Sequence, residues 1–370
     1  MKFGIISMQR VLNYGSFMQA LSLKRMIELL GNEVEFIDYK TNCCAYQRNN
    51  FKERLKYHYR KTKRNIKAKI KRSPDNIKPS KTKQAFCDFY DMLGIDENYR
   101  YHTKVDMLII GSDEVFNCLQ DGENVGFSME LFGKNNRAKK LISYAASFGN
   151  TTLDRLKSFK VEKVVAKHLK NFDCISVRDK NSGEVIKALT GKEPVYHMDP
   201  VFVGDIETLP WKNVDLKDYI IVYGYANRFK QEEKQIIKAF AKKAGFITVA
   251  IGGKQDFCDM SINAKVDEII PYFQNAKYVI TETFHGTLFS VITHTPFVSI
   301  VRKTINNSYG NEEKLNDLLE RLGVEDRKIT DLDFLEEKML KKIDFERLDS
   351  LRENERQRTL DYIKGFMEDH

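Results

Sequence analysis

The chain has 370 residues, of which 42% are hydrophobic and 31% charged, and a formal net charge of +9. That length exceeds one ordinary core and points to two domains. The longest apolar runs, such as Met107-Leu108-Ile109-Ile110, are far too short to cross a bilayer, and Met1 to Ser7 enters a strand pattern with no apolar leader. A cytoplasmic protein is expected, its six scattered cysteines free thiols because none forms a Cys-x-x-Cys pair.

Strand and helix signals alternate from the start. Residues 2–7 read as a strand. Residues 16–30 read as a helix, with Phe17, Ala20, Leu21, Leu23, Met26, Ile27 and Leu30 at helical spacing and Gly31 at its end. Residues 34–39 form a second strand and close a βαβ unit. A basic insertion, 48–83, then interrupts the alternation with fifteen Lys/Arg against two acids, Glu53 and Asp75, more than the whole charge surplus. Its stretch 51–72 contains no Pro or Gly and reads as helical; Pro74 and Pro79 break it.

The sheet resumes with strands at 105–110, 140–145 and 174–177, a helix at 153–169 preceding the last. A helix at 182–189, a short strand at 194–197, Asp199-Pro200 and a linker at Pro210-Trp211 follow. The pattern then restarts with strands at 219–223, 246–251, 278–280 and 297–301 and helices at 231–244, 266–275 and 285–293. Helices at 312–322 and from 345 onwards close the chain. This alternation predicts an α/β protein of two sequential doubly wound halves. Such halves imply a cleft between them, where small-molecule sites usually lie.

In such sheets the chemistry gathers at the carboxyl ends of the strands. His285, in Thr283-Phe284-His285-Gly286-Thr287, stands where the apolar run Tyr278-Val279-Ile280 gives way to a helical pattern, so a titratable imidazole adjoins a helix N-terminus able to hold an anion. A histidine that merely caps or packs against the helix is the competing reading. Asn13-Tyr14-Gly15-Ser16, after the first strand, offers a glycine for close backbone approach and a serine at the N-cap position; it is neither G-x-G-x-x-G nor a Walker loop, which excludes a dinucleotide or P-loop site. Ser112 and Asp113 follow Met107 to Ile110, where a carboxylate serves as general base or caps a helix. Ser147 ends another strand as a binding or turn residue. Arg178, in Ser176-Val177-Arg178-Asp179, grips an anion or pairs with a nearby acid. Histidine–carboxylate clusters with ligand spacing are missing from the sequence, and no metal is expected.

Taken together these blocks resemble the polysaccharide pyruvyl transferase family. The resemblance rests on Asn13-Tyr14-Gly15-Ser16 with Gln19-Ala20-Leu21, Gly111-Ser112-Asp113 with Val115-Phe116-Asn117, and Ser143-Tyr144-Ala145-Ala146-Ser147-Phe148-Gly149. It continues with Ser176-Val177-Arg178-Asp179, Asp199-Pro200, and Thr283 to Ser290 with Pro296-Phe297. It implies two Rossmann-like domains facing a central cleft, GT-B-like: 1–209 as the acceptor side with the basic insertion, 210–343 as the donor side, and 344–370 as a C-terminal helix. It also implies transfer of the enolpyruvyl group of phosphoenolpyruvate to a sugar of a cell-surface polysaccharide precursor, forming a ketal and releasing phosphate. His285 and Asp113 would be catalytic. Asn13, Tyr14, Gly15, Ser112, Ser147, Arg178, Thr283, Gly286 and Thr287 would bind substrate. Phosphoenolpyruvate is then the donor substrate, with no cofactor.

One position departs from the pattern: where some members carry the arginine of Arg-Leu-His, which helps bind phosphoenolpyruvate, this chain has Thr283. Arg302, Lys303 and Arg228 are the candidate replacements. The basic insertion, interleaved with Phe51, Tyr57, His58 and Tyr59, suits an anionic membrane face or a lipid-linked pyrophosphate acceptor, so a peripheral place at the inner membrane face is expected. A solvated helical flap is the plain alternative. A nucleic-acid partner is not expected, because no nucleic-acid module surrounds the segment. A nucleotide-sugar-dependent GT-B glycosyltransferase and a non-catalytic glycan-binding protein of the same fold are the rival functions.

Overall fold

The computed structural model describes residues 1–41, 44–45, 55, 59, 62, 81–101, 103–120, 125–226, 228–303 and 310–367, so the basic insertion lies almost wholly outside the described residues. The chain divides into two compact units, residues 1–12 with 27–197 and residues 13–26 with 198–370.

The first unit is built on a six-stranded parallel sheet of β1 (Lys2–Ile6), β2 (Glu33–Phe36), β3 (Met107–Asp113), β4 (Lys140–Ala146), β5 (Ser176–Val177) and β6 (Val195–Tyr196), in the order β2-β1-β3-β4-β5-β6. Every residue of β3 is buried, the continuous apolar run of a strand covered on both faces. The helices between strands include α1 (Tyr14–Leu29), α2 (Lys81–Cys87), α3 (Tyr90–Leu93), α4 (Leu153–Ser158), α5 (Glu162–Leu169) and α6 (Lys180–Thr190). Although α1 links β1 to β2, its residues up to Met26 group by contact with the second unit.

The second unit repeats the plan. After α7 (Pro200–Val203) come β7 (Tyr219–Gly224), α8 (Gln231–Ala244), β8 (Ile247–Gly252), β9 (Met260–Ile262), α9 (Ile269–Asn275), β10 (Tyr278–Thr281), α10 (Phe284–Ile292), β11 (Phe297–Ile300), α11 (Glu312–Leu322), β12 (Lys328–Ile329), α12 (Leu335–Leu340) and α13 (Phe345–Gly365). All six strands are parallel, ordered β12-β11-β10-β7-β8-β9. The order reverses direction between β7 and β10, as it does between β1 and β3 in the first sheet. These reversals open a crevice beyond the carboxyl ends of the strands, where doubly wound sheets bind ligands.

The expected alternation is present, with local differences that have physical causes. Residues 153–169 form two helices rather than one. Leu156 and Val161 are five residues apart, whereas Val161, Val165 and Leu169 repeat every four, so one continuous helix would turn Leu156 off the buried stripe. A left-handed Lys160 (φ 55°) restores the alignment. The expected helix 266–275 opens with a 3₁₀ turn and becomes α-helical only at Ile269, two residues before Pro271, whose missing N–H is tolerated in a first turn. The edge strands β9 and β12 have three and two residues, too few for a period-2 pattern to register.

Candidate active site

At the second unit's reversal point, β10 ends at Thr281 beside Tyr223 of β7. Tyr223 packs edge-on against Phe273 (5.4 Å) and Phe289 (6.2 Å), which face each other at 5.3 Å, so an aromatic layer fixes the start of α10 against the sheet. Burial holds the Tyr223 phenol well above its ordinary range, with Tyr14 and Tyr225 adding to the rise. The N-cap of α10 is Thr283, whose Oγ1 accepts from the Gly286 amide at 2.9 Å. Gly286 must be glycine: a Cβ would stand 2.2 Å from Thr281 Oγ1 and 2.7 Å from the Tyr223 ring. Thr287 is buried, its hydroxyl donating to the Thr283 carbonyl (3.1 Å) and bonding to Ser299 Oγ (2.7 Å).

His285 occupies the first turn of α10. Its Nε2 is buried with no hydrogen-bond partner and lies 3.6 Å from Oδ2 of Asp199, a fully buried carboxylate. The other carboxylate oxygen, Oδ1, caps α7 by accepting from the Val201 amide at 3.0 Å. On its other side the imidazole meets Gly15, where a Cβ would stand 2.1 Å from Nδ1. Asn13 holds this approach in place. Its Oδ1 accepts from the amides of Gly15 (2.8 Å) and Ser16 (3.4 Å), so Asn13, rather than the expected Ser16, caps a helix that begins at Tyr14. The Tyr14 hydroxyl donates to the Ala264 carbonyl at 2.6 Å, and burial pushes its phenol up to about 12. The fold thus brings Asn13, Tyr14, Gly15, Thr283, His285 and Gly286 together from opposite ends of the sequence.

Of the candidate replacements for the missing arginine, Arg302 is committed to two carboxylates. Its Nε donates to Glu282 (2.7 Å), and Nη1 and Nη2 donate to the two oxygens of Glu233 (2.9 and 3.0 Å). Glu282 is fully buried and also accepts from the Tyr225 amide at 3.1 Å. Arg228 lies 3.9 Å from Glu282 and 5.1 Å over the Tyr225 ring, while Lys303 is exposed. Thr283 itself faces its own helix.

The first unit assembles the remaining candidates at its own reversal point. Ser112 and Asp113 are the last residues of β3, and no helix follows them for Asp113 to cap. Asp113 has a left-handed backbone (φ 71°), and its amide donates to Ser112 Oγ at 2.6 Å. Its buried carboxylate accepts from Arg178 Nη2 at 3.3 Å, and Arg178 is itself only 4% exposed. Ser147 donates to Asp179 Oδ2 (2.5 Å) and accepts from the Gly149 amide (2.9 Å), joining the β4 and β5 ends. Asp179 Oδ1 caps α6 two residues earlier than the expected start.

Two further residues escape the sequence reading. Asp199 belongs to the Asp199-Pro200 block but carries no role in the sequence reading, because nothing local reveals that it faces a histidine 86 residues later. Tyr39, just beyond β2, is buried with a hydroxyl that has no hydrogen-bond partner. Burial, then Asp113 and Asp38, push its phenol well up, so it remains a neutral O–H donor. Among the described residues no group of three or more His, Cys, Asp or Glu is placed to hold a metal ion.

A family model described as polysaccharide pyruvyl transferase matches residues 13–304. No curated protein matches the chain. Among solved structures, S. aureus MnaA in a co-structure with UDP is 10% identical, with 99% of this chain and 96% of that one covered and a TM-score of 0.50. The spinosyn rhamnosyltransferase SpnG is 12% identical, with 96% of each chain covered and a TM-score of 0.44. With its two six-stranded parallel sheets, the chain has a two-domain, GT-B-like α/β fold.

Proposed function

The chain belongs to the polysaccharide pyruvyl transferase family, a family of transferases that modify polysaccharides, and we propose that it moves the enolpyruvyl group of phosphoenolpyruvate onto a sugar of a cell-surface polysaccharide precursor. The observation that carries this reading is His285: an imidazole in the first turn of α10, its buried Nε2 beside Asp199 and unpartnered, closed on the other side by Gly15.

In this reading His285 gives a proton to the methylene carbon of phosphoenolpyruvate, and cationic character develops at C2. A sugar hydroxyl attacks C2 and releases its proton; within the first unit, Asp113 is the carboxylate we propose as a base for such a hydroxyl. Phosphate then leaves with the C2–O bonding pair, and a second hydroxyl closes the ketal and releases its proton. General acid–base groups of this kind contribute about 10²–10⁴-fold each. Arg178 is the anion clamp of the first unit, and the N-terminal end of α10, with Thr283, Gly286 and Thr287, borders the donor in the second. In this reading the first unit takes the acceptor and the second, which includes residues 13–26 and 198–209, takes the donor, and the acceptor is a lipid-linked glycan at the inner membrane face. No helix among the described residues is long and apolar enough to cross a membrane.

The test is phosphate release from phosphoenolpyruvate with a panel of glycan–lipid precursors, for the natural chain and for His285→Ala. Acceptor-dependent release that the variant loses supports donor and residue together. Failure to bind phosphoenolpyruvate at millimolar concentration, with a nucleoside diphosphate sugar bound instead, overturns the donor.

A further inference from the structure

The first unit contains a cavity of about 380 Å³ that none of the residues assigned above lines. Its floor is apolar: Ile37, Val105 and Leu108 reach it, and their methyl groups also converge over Gly4, where a Cβ would meet all three within 3.3 Å. Its mouth is cationic. Lys104, Lys134 and Arg137 line it, all exposed, and none makes an ion pair among the described residues. The field of Lys134 reaches His168, whose pKa is lowered by burial first and by that ammonium second. The two carboxylates at the cavity leave the mouth net cationic, since Arg10 already offsets Asp38 and Glu130 offsets only one of the three cations. Asp38 is held by Arg10 at 2.6 and 2.9 Å, and Glu130 accepts from the Lys40 amide at 2.7 Å.

An apolar floor under a net cationic mouth suits a ligand that is anionic at one end and hydrocarbon at the other. Size agrees, since ligand pockets begin at about 300 Å³. A nucleobase fits poorly, because Tyr101, the aromatic wall, already stacks on Tyr99 at 5.8 Å and carries Lys40 at 5.5 Å from its ring. A free phosphate would leave the floor uncovered.

We propose that this cavity binds a phosphate ester of a hydrocarbon chain, of the isoprenyl phosphate class, with the phosphate at Lys104, Lys134 and Arg137 and the first carbons on the floor. The site deepens the acceptor half of the reading above and rests on it for the ligand's role: it would hold the carrier lipid while the sugar reacts elsewhere.

The test measures equilibrium binding of geranyl phosphate to the full chain without donor, at concentrations below micelle formation. Geraniol, inorganic phosphate and phosphatidylglycerol vesicles are the comparators. The expected result is saturable 1:1 binding that phosphoenolpyruvate does not displace. Geraniol and phosphate should each bind at least tenfold more weakly. Lys134→Glu with Arg137→Glu should weaken binding at least tenfold, and Ala138→Phe, which fills the cavity from its half-buried rim, should do the same. Undiminished affinity in both variants, displacement by phosphoenolpyruvate, or adsorption to vesicles with no binding of the soluble ester overturns the site. Loss of pyruvyl transfer would not, because the assay contains no donor.

Discussion

Gly15 and His285, 270 positions apart, lie so close that a single added methyl group at Gly15 would overlap the imidazole, 2.1 Å from Nδ1 and 2.2 Å from Cγ. The glycine of the first βα turn is thus part of the histidine's mould. Since Asp199 and the Phe284 and Phe289 rings surround the other sides, an imidazole pushed from Gly15 has no equivalent resting place.

Gly15→Ala should therefore lower turnover by about a hundredfold or more, the scale on which a small misplacement of a reacting group acts. Combined with His285→Ala it should cost little beyond the histidine change alone, because the two act as one unit. Steady-state phosphate release from the two single variants and the double variant tests this. Additive losses would separate the glycine from the histidine.

Asp199→Asn keeps a side-chain oxygen to cap α7 but removes the negative charge beside His285. We expect kcat to fall about 10–100-fold with KM for phosphoenolpyruvate nearly unchanged and thermal unfolding shifted by no more than a few degrees. A change confined to KM would move Asp199 from orienting the imidazole to holding substrate.

Arg302→Met should be among the costliest substitutions in the second unit. It leaves the fully buried Glu282 and the nearly buried Glu233 without their guanidinium, and breaking a buried pair on one side costs about 3–5 kcal/mol. Adding Glu233→Gln should recover part of the loss. Urea unfolding of the natural chain, the single variant and the double variant reads both effects.

Asp326 supplies a pH signature. Hydrogen bonding from Arg327, then from Lys341, outweighs partial burial and holds its carboxyl at about 2, below the ordinary 3.8. A depressed carboxylate pKa stabilises the fold above the unfolded value, and that contribution fades as pH falls through the folded one. The side chain is 39% exposed, so solvent screening keeps the effect under about 1 kcal/mol. Asp326→Asn should be slightly less stable than the natural chain at pH 6, and the two should converge between about pH 4 and pH 2. A constant difference across that range would assign the loss to packing.

The alternating plan was legible because parallel strands buried on both faces write themselves as apolar runs, as in Met107 to Ile110 and Tyr219 to Tyr223. The carboxyl ends of β3, β5 and β10 drew attention to Asp113, Arg178 and His285 as candidates. What the sequence hid was pairing. Arg178 reads as gripping an anion or pairing with a nearby acid, and only the register of β3, β4 and β5 selects Asp113. Asp199 carries no role, and Tyr39 reads as a core aromatic, until the sheet order places one near His285 and the other near Asp113. Thr283 was legible as a departure from the arginine pattern, but its service to the Gly286 amide depends on the bend that ends β10.

The membership of α1 has a practical consequence for anyone cutting the gene. Residues 13–26 sit between two adjacent strands of the first sheet yet group by contact with residues 198–370, so neither unit is a continuous stretch of chain. A fragment ending at His197 would carry Tyr14 without Ala264 to receive its hydroxyl and Gly15 without an imidazole to cradle. A fragment beginning at Met198 would retain His285 but lose the turn that shapes its pocket, so inactivity in either piece would say nothing about which half performs the chemistry.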